Sequence, residues 1–180
     1  MADNDGTART ENSVAQGAAA EPELLGIYLN DHLAGATMGT ELIHRITAAH
    51  RESDDSAVLE RLAEEITEDR AGLIEIMGVL GVPVRQYKIA LGWVAEKAAR
   101  LKPNGKLLER SPLSSLEELE IMRLGVEGKR AGWKTLLAVA EHDDRLERAR
   151  LEELIARAER QSDTLEELRM RVSITFARAL

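Results

Sequence analysis

The sequence predicts an all-α fold built as a bundle of four long helices. Ala, Leu, Glu and Arg dominate its 180 residues, and only four are Pro. The aromatic residues are two Trp, two Tyr and one Phe, so the core must be built from aliphatic side chains and Met, which helices accommodate readily. Apolar residues also recur at alternating spacings of three and four over long stretches, which is typical of helices packed side by side.

The chain is long enough for one domain with a substantial core, and 44% of its residues are hydrophobic. Residues 1–21 show no apolar period and are rich in small and polar residues, so we expect a disordered N-terminal tail. The helical bundle then occupies residues 22–180.

Composition also limits the classes of function. The net charge of −8 argues against general nucleic-acid binding. The absence of cysteine excludes disulfides, thiol catalysis and Cys-based zinc sites. No apolar run is long enough to span a membrane, and the N-terminus lacks the features of a signal peptide, so we expect a cytoplasmic protein.

The first two helices are predicted over residues 22–51 and 56–80. Asp55 or Ser56 is suited to capping the second helix, and Gly81 followed by Pro83 marks its end. The second helix has an unbroken seam of inward positions at alternating three and four spacing. These are Leu59, Leu62, Ile66, Asp69, Leu73, Ile76 and Leu80.

The remaining helices are predicted from Pro112 to about Glu141 and over 147–178. A shorter helix is expected over about 86–101, within a connection too long for a tight turn. Two long helices, a connection from one end of the bundle to the other and two more long helices is the plan of a ferritin-like bundle. We therefore expect ferritin-like connectivity with a fifth, shorter crossover helix.

Several phrases also carry a resemblance to known proteins. They are YLNDHLAGAT, GWVAEKAARLK, LIARAERQ and LGVEGK, the last followed by RAG and Trp133. Over residues 24–172 the chain resembles a family of uncharacterised, mostly actinobacterial proteins within the ferritin-like superfamily. This resemblance implies the bundle fold and no established activity.

Ferritin-like di-metal proteins take a Glu from each of two helices and a Glu-x-x-His motif from each of the other two. The chain has a single Glu-x-x-His pair, Glu41 and His44, near the end of the first helix. The second helix offers Glu65 and Asp69 without a histidine. These four residues are weak metal candidates, so we predict no cofactor and keep an iron or manganese site as the alternative.

Asp69 is the anomaly of the second seam, because a carboxylate among leucines is costly unless it is paired. The third long helix offers Arg123 and Arg130, one heptad apart, as partners. We therefore predict a polar cluster in the middle of the bundle that sets helix register. Its expected members are Asp69, Glu65, Arg123, Arg130, Gln161 and His32, the last of these as a hydrogen-bonded core residue touching its edge.

Glycines interrupt two of the predicted helices, although each costs about 0.5–1 kcal/mol relative to alanine. They are Gly35 and Gly39 on the first helix and Gly125, Gly128 and Gly132 on the third long helix. We predict that the two glycine stripes face each other in a close helix contact. A ligand lying against bare backbone is the functional alternative.

The segment from Val84 to Arg110 carries seven basic and two acidic residues, against the acidic balance of the rest. Its candidates for binding an anionic ligand are Lys88, Trp93, Lys97, Arg100 and Lys102. The simpler interpretation is that its apolar residues pack on the bundle while its lysines face solvent.

The most economical function is therefore a non-enzymatic helical protein that acts through an unknown protein partner or through self-association, with a di-metal site lost. The first alternative is a divergent metal-binding ferritin-like protein, either an oxidase or an iron-handling protein. The second is a module that binds anionic ligands through residues 85–106.

Overall fold

The computed structural model describes residues 6–85 and 112–178, with side chains described over 23–85 and 113–178. In these ranges the chain forms four α-helices and no strand. They are α1 (Gly6–Ala49), α2 (Ser56–Val79), α3 (Pro112–Val139) and α4 (Arg148–Arg178). The all-α four-helix bundle predicted from the sequence is thus confirmed.

The helix ends lie close to their predicted positions with one exception. Helix α1 begins at Gly6, so residues 6–21 are helical where the sequence analysis expected a disordered tail. The stretch contains five Ala, the residue that most favours helix even without an apolar face. The predicted crossover helix over 86–101 lies outside the described residues.

Neighbouring helices pack antiparallel. In the contacts between two neighbours, the residue numbers rise along one helix as they fall along the other. The defining contacts are Thr37–Arg70 and Thr47–Leu59 between α1 and α2, Tyr28–Thr135 and Arg45–Glu118 between α1 and α3, Glu68–Arg157 and Asp55–Arg171 between α2 and α4, and Arg130–Glu159 and Arg123–Glu166 between α3 and α4. It follows that α2 and α3 run parallel on one diagonal. The end of α2 and the start of α3 therefore lie at opposite ends of the bundle.

The core is aliphatic and follows the predicted seams. Every member of the α2 seam from Leu59 to Leu80 is buried, including Asp69 at 1% exposure. The last helix also buries Leu151, Ala158, Ser162 and Leu165. No helix in the described part of the chain is both long and apolar enough to cross a membrane.

A buried amide fixes the start of the connection after α2. Gly81 ends the helix with φ of 72°, a conformation that glycine adopts at little cost. Asn30 of α1 then donates from Nδ2 to the carbonyl oxygen of Pro83 at 3.1 Å and accepts from the backbone N–H of Arg85 at 2.7 Å. Two backbone groups beyond α2 are thereby hydrogen-bonded to α1.

Candidate functional site

Three of the four described helices each place a charged or amide side chain at the same level of a largely apolar core. On α2 this residue is Asp69, and on α4 it is Gln161 between Ala158 and Leu165. On α3 it is Lys129, between Val126 and Trp133. Because the three helices surround one core, these side chains meet in the middle of the bundle.

Both carboxylate oxygens of Asp69 are paired with cations. Lys129 Nζ donates to Oδ2, and Arg157 Nη2 of α4 donates to Oδ1. The side chain of Asp69 is 1% exposed and that of Lys129 is 15% exposed, so this is a buried ion-pair triad. The pairing offsets the large desolvation cost that an isolated buried carboxylate would carry.

Gln161 connects the triad to a second carboxylate. Its carbonyl oxygen accepts from Lys129 Nζ at 2.6 Å, and its amide donates to Asp69 Oδ2 at 3.2 Å and to Glu65 Oε2 at 2.9 Å. Gln161 is itself 1% exposed. Its side-chain amide has hydrogen-bond partners on both its oxygen and its nitrogen, as a buried polar group requires. We call Asp69, Glu65, Lys129, Arg157 and Gln161 the core cluster.

Further contacts extend the core cluster toward solvent. Arg157 Nη1 also donates to Glu68 Oε2 at 3.0 Å, and Ser162 donates to Glu127 Oε1 at 2.6 Å. Two carboxylates, Asp69 and Glu65, thus lie beside the two cations, which balances charge within the core cluster. Such an arrangement favours one register of α2, α3 and α4, because a shift of any of these helices would separate donors from acceptors.

The lysine at the centre has a perturbed acidity. Burial lowers the pKa of Lys129, and the Asp69 carboxylate beside it acts in the opposite direction by favouring the ammonium form. Arg157 adds a smaller lowering because it is a like charge. The pKa of Lys129 therefore lies below its ordinary value of 10.5 even though it is ion-paired.

The structure brings together Asp69, Glu65 and Gln161 of the predicted cluster, but not the predicted arginines. Arg123 Nη1 pairs with Glu166 Oε2 at 3.2 Å, and Arg130 Nη2 with Glu127 at 2.7 Å, both nearer the surface. Successive residues of a helix are rotated by about 100°, so Arg130 points away from the seam that its neighbour Lys129 occupies. Lys129 and Arg157 were thus missed, although the seam of Leu119, Met122, Val126, Lys129, Trp133 and Leu136 marks Lys129 in the sequence.

His32 lies apart from the core cluster, in the interface between α1 and α3. Its ring packs on that of Tyr28, with centroids 4.4 Å apart, and on the bare backbone of Gly132. Burial lowers the pKa of His32, and the nearby Asp31 carboxylate opposes that shift. Tyr28 donates to Thr135 Oγ1 at 3.0 Å, which anchors the same contact.

The predicted close contact between glycine stripes reduces to this one position. A Cβ built on Gly132 would lie 2.9 Å from two ring atoms of His32, so only glycine fits there without a shift. A Cβ built on Gly39 would make an ordinary van der Waals contact with Met122. At Gly35, Gly125 and Gly128 an added Cβ would meet no described atom within 4 Å, so the two stripes do not face each other along their length.

The weak metal candidates do not form a site in the described residues. Glu41 and His44 are exposed on α1, and His44 Nε2 lies 3.4 Å from Thr67 Oγ1 of α2. Both oxygens of Asp69 are already held by cations, and across residues 23–85 and 113–178 no three carboxylate or histidine side chains converge on one point. The core cluster therefore does not fit a bound metal, since its ammonium and guanidinium groups would repel one.

The candidates for anion binding, from Lys88 to Lys102, lie in residues 86–111, outside the part that the structure describes. Comparisons with protein families, characterised proteins and solved structures found no match to this chain.

Proposed function

We propose that this protein is a non-enzymatic bundle with ferritin-like connectivity, in which side-chain cations replace the metal centre of such folds. The helix directions support the connectivity. Helix α1 runs opposite to α2, α3 runs opposite to α4, and a long connection joins the end of α2 to the start of α3 at the other end of the bundle. This is the arrangement of ferritin-like bundles, whose metal sites lie in the bundle core between facing helices.

The observation that carries the proposal is the double pairing of Asp69. In a di-metal bundle a core carboxylate is a metal ligand, whereas here it binds Lys129 and Arg157. The positive charge that would otherwise come from a metal ion is supplied by the chain itself. The core cluster then acts as a structural device, and Asp69 keeps no free oxygen for a substrate or an oxidant.

A protein without a catalytic centre must act through its surface. Helix α3 carries two large apolar side chains on its outer face, Leu124 at 71% exposure and Ile121 at 48%. Exposed apolar surface of this kind is typical of interaction sites. We therefore assign the protein a role in protein interaction or self-association.

The test is a metal titration of the purified full-length protein. Fe²⁺, under anaerobic conditions, Mn²⁺ or Zn²⁺ is added and the midpoint of thermal unfolding is followed, because a ligand that binds only the folded state raises it. We expect no rise with any of the three ions. A saturable rise that is abolished in Glu65→Ala or Asp69→Asn, but kept in the surface control Glu41→Ala, would establish a core metal site and overturn the proposal.

A further inference from the structure

The outer face of α3 carries a second seam, whose members are all exposed in the described part of the chain. It runs at alternating three and four spacing through Ile121, Leu124, Gly128, Ala131, Thr135 and Ala138, of which Thr135 also accepts the hydrogen bond from Tyr28 of α1. None of these side chains is charged, although 31% of the residues in the chain are charged. We call these six residues the outer seam. Exposed helix faces are ordinarily polar, so an uncharged seam of this length needs a partner.

The outer seam combines two large side chains with open backbone. Leu124 and Ile121 are largely exposed in its N-terminal half, and at Gly128 an added Cβ would meet no described atom within 4 Å. Gly128 and Ala131 lie in the middle of the seam, where small residues allow two helices to approach closely. Projecting side chains beside such open positions are what knobs-into-holes packing requires.

Charges along one flank of the outer seam indicate the direction of a partner helix. Glu120, Glu127 and Lys134 follow each other at heptad spacing, with acidic residues first and the basic residue last. Within their own bundle they form partly exposed ion pairs with Arg169, Arg130 and Glu159, so contacts with a second copy would add to these pairs or replace them. When two copies of α3 pack antiparallel, the same flank of each helix meets, and Lys134 of each copy lies nearest Glu127 of the other. In a parallel pair this flank would instead meet the opposite flank, where Gly125 and Gly132 carry no charge.

We propose that the outer seam is a self-association surface on which a second copy of this chain packs, α3 against α3 and antiparallel, about a two-fold axis between Gly128 and Ala131. Gly128 of each copy then lies opposite Ala131 of the other. Leu124 of each copy packs beside Ala131 and Thr135 of the other. The proposal rests on the interaction role assigned to the protein above and names its surface and its partner.

The expected strength follows from the length of the outer seam. From Ile121 to Ala138 it extends about 25 Å along the helix. One helix pair of this length buries less than the total of about 1,200–2,000 Å² found in stable complexes. The dimer is therefore expected to be reversible, and its population should depend on protein concentration.

The first experiment compares full-length variants by sedimentation velocity over roughly a hundredfold range of concentration. Leu124→Glu should raise the dissociation constant of the dimer by roughly thirtyfold or more, since it puts a desolvated charge inside the contact. Met170→Glu is the matched control, because Met170 is also an exposed apolar residue, at 46%, but lies on α4. It should leave the dimer unchanged.

A second experiment tests the geometry and uses the absence of cysteine in the chain. Gly128→Cys and Ala131→Cys each introduce a single thiol. Because these positions face each other across the proposed interface, mild oxidation of an equimolar mixture of the two variants should give mainly the mixed disulfide-linked dimer. A mixture of Gly128→Cys with Met170→Cys, whose second thiol lies on α4, should give little mixed dimer under the same conditions.

Three results would overturn the proposal. One is a wild-type protein that stays monomeric throughout the concentration range. Another is a dimer that Leu124→Glu and Met170→Glu leave equally intact. The third is a lower unfolding midpoint in Leu124→Glu at unchanged molar mass, which would mean that residues 86–111 of the same chain cover the outer seam. None of these results involves bound metal, so they are distinct from failure of the proposed function.

Discussion

At the scale of single residues, the stability of the bundle depends on how Asp69 is neutralised. A paired buried carboxylate adds little net stability, but removing one of its two cations leaves Asp69 only partly neutralised, by Arg157. Replacement of Lys129 by Met keeps most of the volume of the side chain and removes the ammonium. Because Arg157 and Gln161 still bond to Asp69, we expect Lys129→Met to lower the free energy of unfolding by about 1.5–3 kcal/mol, measured by urea denaturation.

Lys134→Met is the control for that change. Lys134 is 54% exposed and lies 3.9 Å from Glu159, so its loss should cost less than about 1 kcal/mol. Equal losses in the two variants would mean that the ion pair of Lys129 is not buried in solution.

Gly132 should be sensitive to a single added methyl group, because its missing side chain makes room for the His32 ring. Gly132→Ala is expected to destabilise the protein by about 1–3 kcal/mol through overpacking. Gly35→Ala, where the added Cβ meets nothing, should instead stabilise it by about 0.5–1 kcal/mol through helix propensity. Both effects are measured as shifts of the urea midpoint, and a gain at both positions would contradict the packing of His32 on α3.

His32 also predicts a dependence of stability on pH. Its pKa is lowered by burial in the folded state, from an ordinary value of 6.5 that applies to the unfolded chain. Between these two values the unfolded chain binds a proton that the folded protein does not, so stability falls as pH drops below about 6.5. Among the described groups, Asp31 is the carboxylate that counters this shift.

The effect is isolated by comparing wild type with His32→Gln, because the carboxylates titrate alike in both. Unfolding free energies at pH about 8 and about 5 should differ more in wild type than in the variant. An identical loss in both proteins would show that the His32 ring is free to protonate in the folded state.

At the scale of elements, Asn30 joins the start of the connection after α2 to helix α1. Asn30→Ala removes the acceptor of the Arg85 N–H and the donor to the Pro83 carbonyl. We expect a loss of about 1–3 kcal/mol and faster hydrogen exchange at the Arg85 amide. Thr164→Ala on α4 breaks only a local exposed bond and should change stability by less than about 0.5 kcal/mol.

Much at this scale was accessible from the sequence. Apolar spacing located the four helices, and the position of Asp69 in the leucine seam of α2 marked the core cluster. What the pattern could not supply was the angular setting of α3. Lys129 and Arg130 are adjacent, and choosing Arg130 as the partner turned the helix by about one residue, or 100°. The apolar seam of α3 indicates Lys129 as the inward residue instead, since Lys129 falls in phase with Val126 and Trp133.

The glycines show a different limit of sequence reasoning. Mid-helix glycine indicates that a side chain is unfavourable or unnecessary, but it does not say which. Gly132 meets a ring, whereas an added Cβ at Gly35, Gly125 or Gly128 would meet no described atom. Gly128 and Gly132 are four residues apart, so about 40° of rotation about the α3 axis and about 6 Å along it separate a packed glycine from an open one. That rotation is set by tertiary contacts.

At the scale of the whole molecule, the four described helices surround a core in which the buried Asp69 carboxylate is paired with two cations of the chain, Lys129 and Arg157. The antiparallel neighbours, the parallel diagonal of α2 and α3 and the central polar layer together define the fold. We therefore expect the stability of the bundle to be independent of metal. We propose that the role of the protein depends on the outer seam and on a second copy packed there.

The central claim is that cations of the chain take the place of a metal centre, and the most direct measurement is the metal content of the protein. Full-length protein is purified without chelator from cells grown with added iron, manganese and zinc, and its metals are quantified by elemental analysis. We predict far less than one equivalent of any transition metal, with full folding. One or more equivalents in wild type, lost in Asp69→Asn and kept in Glu41→Ala, would contradict the account.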